Sequence, residues 1–379
     1  MRIAIVGGGA SGMATAYWLN KQGHHVTVLE SQPILGGHIR TLNKNVLPNQ
    51  SECNEILENG VLEFPTVFYN FAALMQELGV ELEPVQIGSS LFFKDGGHFL
   101  SAVAIQKNFT GMQRLIEYLQ LDSLYARSAG FILKMRFAKQ HDFYNMPLSQ
   151  TLKRSCVRND WLKLLTMYSY SIPFELLDDF PAQLAMPVLR EYASVNWVRI
   201  KGGVYSYIEK ILERFKGHIL LNVEIAKIFR SADAVKIVLA NGEIQEFDKV
   251  VFAMPPDQVM RLLADPTEAE TKRFAAWKPN YATTVLHSDT SMYDRYGIRK
   301  LSEFDFFETF KLEEAIDKQH IIHIQKHHTP LYTVESFRYR DEVIETNGEN
   351  NTYHAGAYLG NGLHEGAITS ALRVAKLIG

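Results

Sequence analysis

The stretch that most restricts this chain is IAIVGGGASGMATAYWL, from Ile3 to Leu19. Arg2 to Val6 is short, apolar and β-branched, and reads as a buried strand. Gly7, Gly9 and Gly12 follow it in the spacing G-x-G-x-x-G. The first glycine allows a tight turn, the second lets backbone approach a pyrophosphate, and the third lets a helix pack closely on the strand. That helix is expected over Ala10 to Gln22, with Gly23 as its cap, and Ala10 and Ser11 at its start turn free N–H groups toward the phosphates. A second strand, His25 to Glu30, ends in a carboxylate placed to hold a ribose, with Ser31 beside it. Glu30 disfavours a 2′-phosphate because two anions would meet there. The expected ligand is therefore FAD or NAD rather than NADP.

Composition fits a globular chain of 379 residues with room for two domains, at 46% hydrophobic and 21% charged. A net charge of −3 gives no reason to expect a nucleic-acid partner. The fingerprint strand begins at residue 2, so no signal peptide is expected. No apolar run reaches the roughly 18 residues of a membrane span. Cys53 and Cys156 are the only cysteines and form no C-x-x-C pair, which argues against a disulfide or a zinc site. A cytoplasmic location and a small-molecule substrate are expected. Oligomeric state and peripheral membrane contact stay open.

The choice between FAD and NAD turns on ESQPILGGHIRT, where Gly36-Gly37 follow the second strand. An extended FAD needs backbone to pass close to its pyrophosphate and ribityl arm, whereas a nicotinamide dehydrogenase has no use for a glycine pair there. This stretch resembles the R-x-G-G-R-x-x-T motif of the flavin amine oxidase and phytoene desaturase superfamily. Ile34 and His38 stand where that motif carries arginines, and Arg40 and Thr41 are placed to supply part of the missing contact. The G-G-H variant is similar to an NAD/FAD-binding, amine-oxidase-like branch of the superfamily. The resemblance implies FAD as cofactor, with Gly36, Gly37, His38 and Ile39 against it.

Two later segments resemble the superfamily in the same order. His218 to Pro256 reads as a β-meander with a hairpin at Asn241-Gly242, then a buried strand ended by Pro255-Pro256. The resemblance gives the backbone of Val223 a grip on adenine. At the C-terminus, HAGAYLGNGLHEGAITSALRVAKLIG resembles the closing flavin motif. It implies contacts from Gly356, His364, Glu365, Gly366 and Ala367, with a helix from Glu365 aimed at the flavin's pyrimidine edge. Ala357 stands where many relatives carry an acid. No second G-x-G-x-x-G follows a strand, so no separate NAD(P)H domain is expected.

The expected fold is α/β: a Rossmann-like FAD-binding domain of GR2 type with a discontinuous α+β substrate domain. The FAD-binding domain would comprise 1–60, 200–260 and 345–379, and the substrate domain 61–199 and 261–344. Within the latter, YNFAALMQELG reads as an amphipathic helix and Gly97 to Leu100 as a strand. Residues 105 to 195 read as mostly helical, and Tyr281 to His287 as a strand. Ala126 to Phe143 mixes Arg127, Lys134, Arg136 and Lys139 with large apolar residues. Its two readings are a core helix with solvated charges and a surface for a membrane or acyl chain.

His364 is the one catalytic candidate. Beside the flavin it would donate to N1/O2 or shuttle a proton, and its deprotonation between pH 5 and 8 would lower the flavin potential. The other reading is a side chain that holds the turn. Glu365 reads as a partner for neighbouring backbone. His287 and Asp289 share one face of a strand and either enter the site or sit at a solvated strand end. His323, His327 and His328 cluster, but no matching acidic or cysteine set suggests a metal. Relatives place a lysine near flavin N5 on the strand resembling YATTVLHSD. This strand has none; Lys278 precedes it and Lys300 follows. The implied function is an FAD-dependent oxidoreductase whose flavin accepts hydride from a C–H bond of an amine or an apolar, lipid-like substrate. A redox-neutral flavin isomerase of an unsaturated fatty acid and a non-enzymatic flavin-binding partner are the alternatives.

Overall fold

The computed structural model describes residues 1–49, 53–86, 90–92, 97–153, 156–191, 195–294, 296–298, 307–310 and 316–379. Its centre is a five-stranded sheet built from β1 (Arg2–Val6), β2 (His25–Leu29), β3 (His218–Leu220), β7 (Lys249–Phe252) and β11 (Thr352–His354). The order is β11-β7-β1-β2-β3 and every pair is parallel. Successive strand residues face opposite sides, so β1 feeds two cores. Ile3 and Ile5 join Met13, Leu19, Val26, Val28, Val251 and Ile368 on one face. Ala4 and Val6 join Leu29, Val250 and Phe252 on the other.

The first face is covered by α1 (Ala10–Lys21), α6 (Tyr205–Arg214) and α7 (His364–Ile378). A short helix, α2 (Tyr69–Leu78), also packs here through Phe71, Leu74, Met75 and Leu78. Gly79 ends it at φ +72°. Sequence reasoning put this helix on the substrate side, yet its apolar face completes the dinucleotide core. On the second face lies an antiparallel meander, β4 (Ile225–Arg230), β5 (Val235–Leu239) and β6 (Ile244–Phe247), turned at Gly242 (φ +87°).

The rest of the chain builds the far wall. α3 (Gly111–Phe137), α4 (Val157–Tyr170) and α5 (Ala182–Glu191) pack together. A three-stranded antiparallel sheet carries β8 (Pro279–His287) at its centre, between β9 (Phe307–Phe310) and β10 (Ile321–Pro330). The strand expected at Gly97 to Leu100 is His98–Leu100, paired with Ser90–Phe92. Lys300 lies outside the described residues. Among the described residues no helix is long and apolar enough to cross a membrane.

Candidate active site

The order of the parallel sheet reverses at β1, and ligands of such sheets bind beyond the carboxyl ends of the strands there. A cavity of about 2620 Å³ opens at that place, walled by Val6, Gly7, Gly9, Ala10 and Ser11. Gly12 does not line it. A Cβ on Gly12 would stand 1.9 Å from the carbonyl oxygen of Gly7, so this glycine serves helix–strand packing. The N-terminus of α1 has no side-chain cap and no acid in its first turn. Its N–H groups and dipole therefore face the cavity without a protein anion.

Glu30 is 7% exposed and lines the same wall. Gly8 N–H donates to it at 2.6 Å, Gln32 N–H at 2.8 Å and the Ser31 hydroxyl at 3.3 Å. A carboxylate offers about four acceptor positions, so room remains for a ribose hydroxyl. Val223 also lines the cavity, but its N–H donates to the Glu30 carbonyl at 2.9 Å. A backbone grip on adenine at Val223 therefore has to come from its carbonyl alone.

The glycine pair crosses the fingerprint turn. Gly9 and Gly36 form a parallel bridge, and Gly36 N–H donates to Gly8 at 2.9 Å. Gly37, at φ +58°, would bring a Cβ to 3.0 Å from Gly9 Cα. Ile39 and His38 line the wall beyond them. His38 Nε2 meets the His328 carbonyl at 2.8 Å. Arg40 is 7% exposed and lines the cavity. It donates to the Ile39 carbonyl and the Gln325 side chain, and has no ion-pair partner among the described residues. A buried guanidinium and an uncapped helix N-terminus are donors of the kind the diphosphate of FAD requires, and the Glu30 carboxylate is an acceptor for its ribose. The residues fit FAD.

The C-terminal motif divides its work differently from what the sequence suggests. Gly356, Gly362, Leu363, His364 and Ala367 line the cavity; Glu365 and Gly366 do not. The Glu365 carboxylate accepts Asn70 N–H at 2.9 Å, Asn70 Nδ2 at 2.7 Å and Phe71 N–H at 2.9 Å. It caps α2, which has no cap of its own. The side chain thus works as a partner for backbone N–H groups, as its sequence reading has it, but on α2 rather than in its own turn, and it does not line the cavity. Gly366 is a packing glycine, since a Cβ there would stand 2.8 Å from the Ala357 carbonyl oxygen.

His364 opens α7 inside an aromatic box of Phe64, Phe71 and Tyr207. Its Nε2 lies 3.1 Å from the Tyr207 hydroxyl. Burial drives its pKa down to about 3, with His38 as a smaller cause. Burial also raises the Tyr207 hydroxyl, which stays a donor. The imidazole is neutral throughout pH 5 to 8, so the expectation that it titrates in that range is corrected. Neutral, the ring carries one proton: on Nδ1 when the Tyr207 hydroxyl donates to Nε2, and on Nε2 when that hydroxyl accepts.

The histidines of β10 form hydrogen-bonded chains. Asn59 Nδ2 donates to His323 Nδ1 at 2.8 Å and to the His323 carbonyl at 3.1 Å. That fixes Asn59 Oδ1 as the acceptor of the Thr284 hydroxyl at 2.6 Å. Thr284 in turn lies 3.3 Å from His327 Nε2. Burial holds His327 neutral, at about 3. His328 sits between Gln258 Nε2 (3.0 Å) and Asp257 Oδ2 (3.1 Å). Thr284, His327 and His328 line the cavity; His287 and Asp289 do not. Asp289 accepts the N–H groups of Ser291 and Asp317, which hold its carboxyl at about 2, and it orders a turn. Among the described residues no group of three His, Cys, Asp or Glu side chains is arranged for a metal.

Sequence reasoning missed Asn59, Thr284, Tyr207 and two glutamates. Glu58 and Glu63 line the cavity, and burial pushes both up to about 7. Glu58 accepts Val204 N–H at 2.7 Å and the Thr41 hydroxyl at 2.8 Å. The far end of the cavity is apolar, with Leu121, Leu124, Ile132, Trp161, Leu165 and Met167 on α3 and α4.

Comparison with known proteins agrees with this geometry. Residues 10–286 match the family described as flavin containing amine oxidoreductase. The 4,4'-diapophytoene desaturase (4,4'-diaponeurosporene-forming) of Staphylococcus aureus (strain MRSA252) is 24% identical over 288 residues, covering 66% of this chain and 54% of that protein. The chain thus spans about half the length of the curated relatives it matches. Wild-type putrescine oxidase bound to putrescine superposes with a TM-score of 0.70 at 14% identity, covering 100% of this chain and 99% of that one. The CLA-producing fatty acid isomerase from P. acnes superposes at 0.70 with 15% identity, covering 100% and 97%. At these identities the structural likeness establishes the fold.

Proposed function

We propose, from the premise that this chain belongs to the flavin-containing amine oxidoreductase family with FAD as its cofactor, that it oxidises a C–H bond of an apolar, lipid-like substrate. FAD, when bound, supplies the hydride acceptor. The protein's part is to hold, orient and dry the site. The N-terminus of α1, Arg40 and Glu30 bind the dinucleotide. His364, locked by Tyr207, keeps a neutral imidazole at the start of α7. Thr284 and His327 present a polar edge whose protons are fixed by Asn59.

The observation that carries the substrate class is the apolar end of the cavity. Ligand pockets usually measure about 300–1,000 Å³. At about 2620 Å³ this cavity has space beyond a dinucleotide, and that space is walled by leucines, isoleucine, tryptophan and methionine. An ammonium substrate would need an ionised, available carboxylate. Glu83 is paired with Arg199 at 2.7 Å and Glu191 with Arg190 at 3.3 Å. Burial holds Glu58 and Glu63 at about 7, and the remaining lining carboxylates, Glu30 and Glu224, flank Val223 at the dinucleotide end rather than the apolar end. β8 carries no lysine.

Anaerobic mixing of the purified yellow protein with panels of unsaturated lipids and of amines tests this. Bleaching of the flavin band by lipids, and not by amines, is the expected result. Bleaching by amines alone overturns the substrate class. The second reading, a redox-neutral isomerase, is supported by the full-length likeness to the fatty acid isomerase. It predicts product without net consumption of any electron acceptor. A flavin that no compound reduces, in a protein that converts none, leaves the non-enzymatic reading.

A further inference from the structure

α3 has an outward face of which only Leu133 also lines the cavity. Met112, Leu115, Ile116, Leu119, Leu133 and Phe137 are 71, 52, 47, 58, 58 and 79% exposed. Their steps of three and four residues, or sums of these, place them along one side of the helix. Exposed Ser123, Ala126 and Gly130 continue the same line with small side chains. The opposite side, through Leu121, Leu124, Ser128 and Met135, is buried. A surface helix ordinarily turns polar residues to water, so a helix apolar on both sides has a second partner. Its 27 residues run about 40 Å at ~1.5 Å per residue, with the large apolar side chains in two groups, Met112 to Leu119 and Leu133 to Phe137, and exposed apolar surface gathered on one side of a helix marks an interaction site.

Charge identifies the partner. Between Gln120 and Lys139 the exposed cations are Arg127, Lys134, Arg136 and Lys139, against one carboxylate, Asp122. None of the four cations makes an ion pair among the described residues. Arg127 and Lys134 flank the stripe, Arg136 turns toward the cavity and Lys139 follows the helix end; the chain as a whole carries −3, so this cationic end of α3 runs against the overall balance. A second copy meeting the same face would bring the same cations. An anionic bilayer supplies both the opposite charge and an apolar interior, and each basic residue near such a surface strengthens the attraction. Leu133 and Arg136 also line the cavity, which puts a mouth of the cavity beside α3.

We propose that α3 docks this protein flat on an anionic lipid surface, with the apolar stripe at the boundary of headgroups and acyl chains. The docking stands on α3 alone; only delivery of substrate from the bilayer into the adjoining mouth rests on the lipid-like reading above.

Co-sedimentation of the holoprotein with phosphatidylcholine vesicles, with and without phosphatidylglycerol, tests the docking. Wild type is expected to pellet with the anionic vesicles, less so as salt rises, and to stay in solution with neutral ones. Arg127→Glu/Lys134→Glu should weaken binding at least tenfold while keeping flavin absorbance and melting temperature. Leu115→Ser/Leu119→Ser/Phe137→Ser should do the same. Equal binding of all three proteins, or no binding by wild type, overturns the proposal. A concentration-dependent dimer that the serine variant loses, without vesicle binding, reassigns the stripe to self-association. Vesicle binding that persists when lipids fail to bleach the flavin refutes the substrate reading and leaves the docking intact.

Discussion

Replacing Glu30 by alanine separates a structural role from a ligand role in one residue. The carboxylate holds Gly8 N–H at 2.6 Å and Gln32 N–H at 2.8 Å within the protein itself. A hydrogen bond to a charged group is worth about 1.5–3 kcal/mol, so the folded apoprotein loses roughly 3 kcal/mol or more across the two. The Ser31 hydroxyl adds a longer bond at 3.3 Å, and the ribose hydroxyl adds a further one only in the holoprotein. FAD affinity should therefore fall by the ribose bond alone, about 1.5–3 kcal/mol, or roughly 10- to 150-fold in Kd. Glu30→Gln, which keeps one acceptor oxygen, should lie between wild type and alanine, and Glu30→Arg should bind FAD worst. Urea unfolding of the apoprotein reads the first effect, and quenching of flavin fluorescence on titration reads the second. An alanine variant with wild-type urea midpoint and wild-type Kd would refute both assignments.

Three further outcomes follow from the same geometry. His364→Ala should lower the flavin midpoint potential by about 30 mV, the equivalent of about 1.4 kcal/mol for a two-electron couple, through loss of the Nδ1–H donor that the ring has when Tyr207 donates to it. Its potential-versus-pH slope between pH 5 and 8 should match wild type, because the imidazole is already neutral there; a wild-type inflection near pH 6.5 that the variant lacks, in spectroelectrochemistry, would contradict this. Glu365→Ala should lower the melting temperature by uncapping α2, with little change in flavin potential; a large potential shift would place the carboxylate at the flavin after all. His354 is 7% exposed and burial holds it at about 4, below its unfolded value near 6.5. The unfolded chain takes up the proton first, so stability is full above about pH 6.5 and is lost as pH falls toward 4, by on the order of 3 kcal/mol. His354→Phe, which keeps the stacking on Phe252 and Phe274, should flatten that part of the urea-midpoint profile.

What the sequence made legible was local. Strand β1, the turn at Gly7 to Gly12 and the carboxylate of Glu30 lie within one βαβ unit, where each residue's reason is set by its neighbours in the chain. The divided work of the C-terminal motif was not legible. Glu365 is claimed by Asn70 and Phe71, and His364 by Tyr207, residues that only the tertiary fold brings near. The histidines of β10 looked like a cluster because they are close in sequence. Alternation along the strand puts His323 and His327 on one face, in a single chain with Asn59 and Thr284 from two other segments, and sends His328 to Gln258 and Asp257. α2 changed sides for a similar reason: its amphipathic pattern declared an apolar face but not which core would receive it. The apolar stripe of α3 was partly visible as a basic, apolar stretch, yet which side faced water depended on where α4 and α5 pack.

The identity of the cavity as an FAD site is tested most directly by the absorption spectrum and cofactor stoichiometry of the purified protein. One FAD per chain is expected, released intact on denaturation, since no segment resembles a covalent attachment site. A colourless protein that binds NAD and excludes FAD would contradict it.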